Sequence, residues 1–379
     1  MKIETRAVHA GRAPERGTRD VVPAIHQSTT FQKADDGSLP GGYLYGRPNN
    51  PNREALEHAL ASLDEGAAAL AFSSGSAATA AVFHSLAPGD HVIAPNDAYY
   101  GTAILLNTHF RDWGLKSTLV DMRDLRAVEC AVTPTTKLIW AETPTNPMLH
   151  ITDIRGVAAI AKKAGAMLAF DNTFATPLLQ HPLTFGADLV MHSLTKYLSG
   201  HSDVLSGALV FREAGGLFEK ARTLQREGGG VPSPFECWLT LRGLQTFPHR
   251  MRAHCENAQR VADFLSGHSK IKAVHYPGLP THPGHKIAAS QMSAFGGIVS
   301  IQVKGGRDEA FKVCAAVKVF THATSLGGPH SLIEHRASVE GPTTKSPQNL
   351  LRLSIGLEHP DDLIEDLEQA LSAISKASF

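Results

Sequence analysis

From Asn52 onward the chain alternates two hydrophobic patterns. Helix-spaced stretches such as "NREALEHALASL" and "RGVAAIAKKAG" are followed by short apolar runs such as "KLIWAET", "MLAFDNT" and "ADLVMHS". Runs of that length, apolar on successive positions, predict strands buried on both faces. Strands alternating with helices predict an α/β fold with a mostly parallel central sheet. Each of the three runs closes on polar residues, and open α/β sheets bind their ligands beyond the carboxyl ends of the strands.

The pattern changes on either side of this region. The first 48 residues are rich in Gly, Pro and Arg and have little periodicity, so they are expected to drape over other parts of the assembly. Near Pro248 a long charged helix, "RMRAHCENAQRVADFLSG", begins. It is followed by a loop, "YPGLPTHPGH", and by "AFGGIVSIQVKGG", which has a more antiparallel character. The closing "DDLIEDLEQALSAIS" predicts an amphipathic helix whose acidic first turn suits the helix dipole. The expected division is an arm over 1–48, a ligand-binding domain over 49–247 and a smaller C-terminal α/β domain over 248–379.

Composition narrows the function classes. The 379 residues are 42% hydrophobic, with 36 basic and 36 acidic side chains. A net charge of zero provides no electrostatic footprint for nucleic acid or an anionic membrane. The start, "MKIETRAVHAG", lacks the apolar core of a secretory signal, and no apolar stretch is long enough to span a bilayer. A soluble, cytoplasmic protein is expected. Four scattered cysteines form no CxxC pair, which argues against a disulfide framework and a thiolate metal site. Among twenty histidines there is no HExxH, and Pro283 and Gly284 break any helix that would align His282 with His285. No metal is expected.

Three stretches carry chemistry. In "LAFSSGSAATAAVFHSL" a turn over Ser73, Ser74, Gly75 and Ser76 precedes an Ala-rich helix. Gly75 lets a backbone come close, and free N–H groups at the helix start favour a phosphate, although serine there is also the ordinary helix cap. In "MLAFDNTF" an apolar run ends on Asp171, a carboxylate that needs a cationic partner if buried and an N-cap if not. In "MHSLTKYLSG" Lys196 follows the hydroxyls of Ser193 and Thr195. Alone it reads as a solvated lysine, since buried lysines are rare. One ligand satisfies all three: a phosphate for the helix start and hydroxyls, a basic ring nitrogen for Asp171, and an aldehyde to bond Lys196. That ligand is pyridoxal 5'-phosphate.

The motifs "TRAVHAG", "VVPAIHQSTTF", "FSSGSAA", "NDAYYGT", "AETPTNP", "FDNTF", "HSLTKYLSGHSDVLSG", "SLGG" and "RLSIGLE" together resemble the Cys/Met-metabolism (transsulfuration) family of pyridoxal-phosphate enzymes. That family includes cystathionine γ-synthase, cystathionine γ-lyase, cystathionine β-lyase and methionine γ-lyase. The resemblance covers essentially the whole chain and implies fold type I, aminotransferase-like, in a homotetramer built as a dimer of dimers.

It also implies site roles. "YGRPNNPNR" resembles the segment that reaches into the neighbouring subunit, where Tyr45 and Arg47 would bind the phosphate. Tyr99 would stack on the ring and exchange protons, Asn146 would meet the phenolic oxygen, and Thr173 would lie beside the ring. Arg352 would clamp the substrate α-carboxylate, with Ser325 next to it.

The chain departs from the cystathionine-using members at three positions expected to line the far end of the substrate. Leu44, Ile104 and Thr324 stand where those enzymes tend to carry charged residues. A buried charge without its partner costs ~3–5 kcal/mol, so a neutral γ-substituent is expected. Gly101 replaces the cysteine of methionine γ-lyases, and Tyr100, Pro329 and His330 also depart from the pattern. The expected activity is γ-elimination, a carbon–sulfur or carbon–oxygen lyase on an L-amino acid of the homocysteine or homoserine type. Its alternative is γ-replacement, as in cystathionine γ-synthase or an O-acylhomoserine sulfhydrylase. A catalytically retired binder that keeps the fold is the remaining reading.

Overall fold

A computed structural model describes residues 1–12, 18–341 and 344–374. Among the described residues, twelve strands form two sheets. The first holds β1 (Ala68–Phe72), β2 (His91–Pro95), β3 (Lys116–Val120), β4 (Thr136–Glu142), β5 (Met167–Asp171), β6 (Leu189–Ser193) and β7 (Gly207–Phe211). Its order is β1-β7-β6-β5-β4-β2-β3. Only β7 runs antiparallel to its neighbours; the pairs from β6 to β3 are parallel. The chain is α/β, with the three apolar runs of the sequence side by side as β4, β5 and β6.

The second sheet holds β8 (Ile271–His275), β9 (Ile298–Val303), β10 (Thr321–His322), β11 (Leu332–His335) and β12 (Leu350–Ser354), in the order β10-β11-β12-β9-β8. Its central pairs are antiparallel. Helices cover the first sheet because its strands are apolar on both faces. Trp140 on β4 is fully buried and meets Phe83 of the helix Gly75–His84 at 5.3 Å. The helix Ile154–Ala164 buries Ile154, Val157 and Ala161, is capped by Asp153, and ends on Gly165 at φ +64°. That positive φ is cheap for glycine alone.

One helix joins the two sheets. Phe247, Met251 and Cys255, spaced four apart on Phe247–Ser266, pack into the core under the first sheet. Ala258, Val261, Ala262 and Leu265, further along, pack into the core of the second. The two sheets are thereby held in one orientation.

The opening stretch differs from its expected irregularity. Ile3–His9 is a helix, anchored by the Arg6 guanidinium on the Ser62 carbonyl at 2.6 Å and by an ion pair between Glu4 and Arg252. Its apolar spacing is too short to stand out against the charged residues around it. Among the described residues no helix is long and apolar enough to cross a membrane.

Candidate functional site

The carboxyl ends of β4, β5 and β6 open onto a cavity of about 210 Å³, closed on its other side by segments of the second sheet. Glu142, Asp171 and Ser193 are the last residues of those three strands and all line it. The helix Gly75–His84 points its N-terminus at the same space. Ser74 caps it by accepting from the Ala77 N–H at 3.1 Å, and Gly75 and Ser76, which precede the first intrahelical bond, line the cavity. The turn is tight: a side chain on Gly75 would come 3.1 Å from Cβ of Ser193. Ser74 is thus both the ordinary cap and part of a cavity wall.

Asp171 is buried at the base. It accepts from the Thr173 N–H at 3.0 Å, and burial pushes its carboxyl up against the opposing effect of Thr173. Lys196 reaches the cavity from the turn after β6 and donates to Oγ of Ser325 at 2.8 Å. Burial, reinforced by the Arg352 charge, pushes its ammonium down to about 8. Ser325 holds a φ of +86°, a conformation that costs a non-glycine residue of order 1–3 kcal/mol and tends to mark functional sites. Thr195 is engaged elsewhere: its hydroxyl donates to the Ser206 carbonyl at 3.1 Å. Thr173 accepts from the Ser193 N–H at 2.9 Å.

Tyr99 lines the cavity, and burial pushes its phenol up. Its ring is packed against the backbone of Gly101, where an added Cβ would lie 2.5 Å from a ring carbon. Tyr100 meets it edge-on at 5.0 Å. Arg352, on β12, is buried and donates to Oδ1 of Asn146 at 2.9 Å and to the Ser325 carbonyl at 3.0 Å. Thr324 and Ser325 line the wall beside it.

Ser74, Gly75, Ser76, Tyr99, Asn146, Asp171, Thr173, Ser193, Thr195, Lys196, Thr324, Ser325 and Arg352 therefore surround one cavity. Leu44, Tyr45, Arg47 and Ile104 do not line it. Leu44, Tyr45 and Ile104 are 49%, 45% and 51% exposed, and the Arg47 guanidinium is bonded to the Arg226 carbonyl and Glu227 of its own chain.

The sequence reading missed three charged residues of the wall or its backing. Glu142 accepts from the N–H of Tyr99 and from that of Asn146, each at 2.7 Å. Burial, with the Asp171 carboxylate beside it, pushes it well up. The signal was present, since the apolar part of "KLIWAET" closes on Glu142 as that of "MLAFDNT" closes on Asp171. Glu334 pairs with Arg352 at 2.8 Å and Arg336 pairs with Glu334 at 2.7 Å. In "LIEHRAS" these read as surface charges, and only the β11–β12 register sets Glu334 opposite Arg352.

The model of the Cys/Met metabolism PLP-dependent enzymes matches residues 4–372. The chain belongs to that family. It is 50% identical over 373 residues to a cystathionine gamma-synthase of Mycobacterium tuberculosis, which covers 97% of this chain and 96% of the relative. The crystal structure of metB from Corynebacterium glutamicum superposes with a TM-score of 0.96 at 44% identity, covering 98% of both chains. A methionine gamma lyase from Micromonospora echinospora superposes with a TM-score of 0.92 at 42% identity, over 98% of this chain and 99% of that one.

Members of the family are PLP-dependent enzymes of sulfur amino acids, and the present chain is one of them. Its cavity fits the cofactor on its own terms. A buried carboxylate with no ion-pair partner among the described residues, a lysine whose ammonium is pushed down to about 8, a glycine-walled helix start and Ser193 on the cavity wall are the complement of a pyridinium, an aldehyde and a phosphate.

Proposed function

We propose that this enzyme catalyses γ-elimination from an L-amino acid of the homocysteine or homoserine type, releasing the sulfur or oxygen substituent on Cγ. The observation that carries this reading is the placement of Lys196. Its Nζ lies within hydrogen-bond reach of Ser325, in one cavity with Asp171 and Arg352, and is held near 8 by burial. A lysine in that state exists partly as the free amine at neutral pH and can both accept and return protons.

Bound pyridoxal phosphate supplies an electron sink that makes the substrate's α-hydrogen, and then a β-hydrogen, acidic. The chain supplies the rest. Ser74, Gly75, Ser76 and Ser193 would hold the phosphate, joined by Thr195 once its hydroxyl turns from the Ser206 carbonyl. Asp171 would hold the protonated ring nitrogen, Asn146 the phenolic oxygen, and Thr173 would lie beside the ring. Tyr99 would cover the ring face and exchange protons with the leaving group. Arg352 would take the α-carboxylate, which orients the α-hydrogen toward Nζ of Lys196. Lys196 would take that proton and redeliver it.

Among the described residues, none of those at the helix start and the β6 end that would hold the phosphate is a Lys or Arg, while Tyr45 is exposed and Arg47 half-buried away from the cavity. This supports an arm over 1–48 that places Tyr45 and Arg47 in the site of a second copy, beside a cofactor domain over 49–247 and a C-terminal domain over 248–379. A homotetramer built as a dimer of dimers, working in the cytoplasm, accords with that arrangement.

A second reading is γ-replacement, in which a thiol captures the intermediate after the substituent leaves. The identity to a cystathionine gamma-synthase favours it. Thr324, the one of the three distal positions that lines the cavity, carries no charge and favours a substrate without a second charged head. Product analysis with O-acyl homoserine, L-methionine and L-cystathionine, with and without L-cysteine, separates the two. Keto acid and ammonia independent of cysteine support elimination. A cysteine-dependent thioether as the main product would overturn elimination in favour of replacement.

A further inference from the structure

Glu334 and Arg336 are buried against the cavity, yet neither has a part in the steps above. Oε2 of Glu334 is shared by two guanidinium groups, at 2.8 Å from Nη2 of Arg352 and 2.7 Å from Nη1 of Arg336. The side chains of Arg352, Arg336 and Glu334 are 3%, 3% and 4% exposed. Arg336 is held from its other edge by Glu340 at 3.1 Å. Glu340 is itself anchored by the hydroxyls of Thr344 at 2.6 Å and Ser346 at 2.7 Å. Nε of Arg336 and Nε of Arg352 are buried with no hydrogen-bond partner among the described residues. The cluster balances two cations against two carboxylates.

This balance bears on substrate binding. If Arg352 takes an α-carboxylate, through its unpartnered Nε or otherwise, Glu334 must share that guanidinium's charge with a second anion. A buried carboxylate that loses its cation is strongly disfavoured. Arg336 already touches the same oxygen, on a residue two positions along the chain, and needs no movement to keep it. We infer that Arg336 is the standing partner that retains Glu334 when the substrate α-carboxylate occupies Arg352, and that it thereby sets the affinity for amino-acid substrates. Arg336 is then a positioning residue for the Arg352 clamp, and the inference rests on the reading of Arg352 as that clamp.

The test uses the cofactor-loaded enzyme titrated with L-alanine, which has an α-carboxylate but no γ-substituent, and with ethylamine, which has neither. Binding is read from the cofactor's absorbance. Arg336→Met should raise the Kd for L-alanine at least tenfold, with the Kd for ethylamine within threefold of wild type. KM for the productive substrate should rise in parallel, with kcat within threefold. Adding Glu334→Gln to Arg336→Met should bring the L-alanine Kd back to within threefold of wild type, since the competing carboxylate is gone. Glu334→Gln alone, which does not depend on the folding of the Arg336 variant, should lower the L-alanine Kd.

An unchanged Kd in Arg336→Met, a double variant no better than the single, or weaker L-alanine binding in Glu334→Gln would each overturn the inference. Arg352→Met is the separate control. Should it bind L-alanine as wild type does, the clamp reading itself falls, whatever Arg336 does.

Discussion

Glu142 and Asp171 are register partners on the adjacent parallel strands β4 and β5, and their carboxyls end in the same buried corner. They are used differently. Glu142 is spent on the backbone, accepting from Tyr99 and Asn146. Asp171 keeps its outer edge for the cavity. Glu142→Ala should leave two N–H groups without acceptors, at ~1–3 kcal/mol for each buried group left unpaired. Thermal or denaturant unfolding should show a total loss of ~2–6 kcal/mol, and Glu142→Gln, with one carbonyl remaining, a smaller one. Equal stability of all three proteins would remove Glu142 from this role.

On the proposed reading, Asp171→Ala removes the charge that would hold the ring nitrogen protonated. Breaking a buried ion pair from one side costs ~3–5 kcal/mol, and 1.4 kcal/mol is about a power of ten. The expected fall in kcat/KM is therefore roughly two to four powers of ten, with the cofactor still bound through its phosphate. Activity within tenfold of wild type would mean that another group protonates the ring.

Lys196 makes a prediction in pH for the cofactor-free protein. Its folded value, about 8, lies below the ordinary 10.5 because burial disfavours the ammonium. Between those values the unfolded chain binds the extra proton, so stability rises with pH across that window and the penalty is complete below it. The 2.5-unit gap corresponds to ~3 kcal/mol at 1.36 kcal/mol per unit. Cofactor-free Lys196→Met should thus unfold at a higher temperature than wild type at pH 7. The difference should shrink as pH rises from 8 toward 10.5, and a pH-independent difference would refute the assignment.

The placement of Tyr45 and Arg47 outside their own cavity leads to a subunit-mixing experiment. Arg47→Ala and Lys196→Ala should each be nearly inactive as purified homo-oligomers. Dissociated, mixed and reassociated, they should regain activity, because some interfaces then combine an intact arm with an intact lysine. No recovery from a mixture that demonstrably forms hetero-oligomers would place Arg47 in its own subunit's chemistry.

Strand identity and most of the cavity lining were legible in the residues. Burial on both faces forces a strand to be apolar throughout, so β4, β5 and β6 stand out as runs, and the polar residue that ends each run marks the rim of the sheet. Asp171, Ser193 and Lys196 were found in that way, and the Ser74–Ser76 turn by its position before a helix. The helix Ile3–His9 was not found, since it is stabilised by contacts with remote helices and not by its own periodicity. Glu142 was passed over although it ended a quoted run, because a second acid beside Asp171 acquires meaning only when the parallel register is known.

The linear pattern alone determined that this chain builds an open α/β sheet and which residues gather at the carboxyl ends of its strands around one cavity. Those properties depend on neighbours within a few residues. The pairing of Glu334 with Arg352 and Arg336, the hold of Glu142 on Tyr99 and Asn146, and the seclusion of Lys196 were decided by tertiary structure. Each joins residues from different strands or turns, and the energy of a charge depends on which other charges share its low-dielectric surroundings.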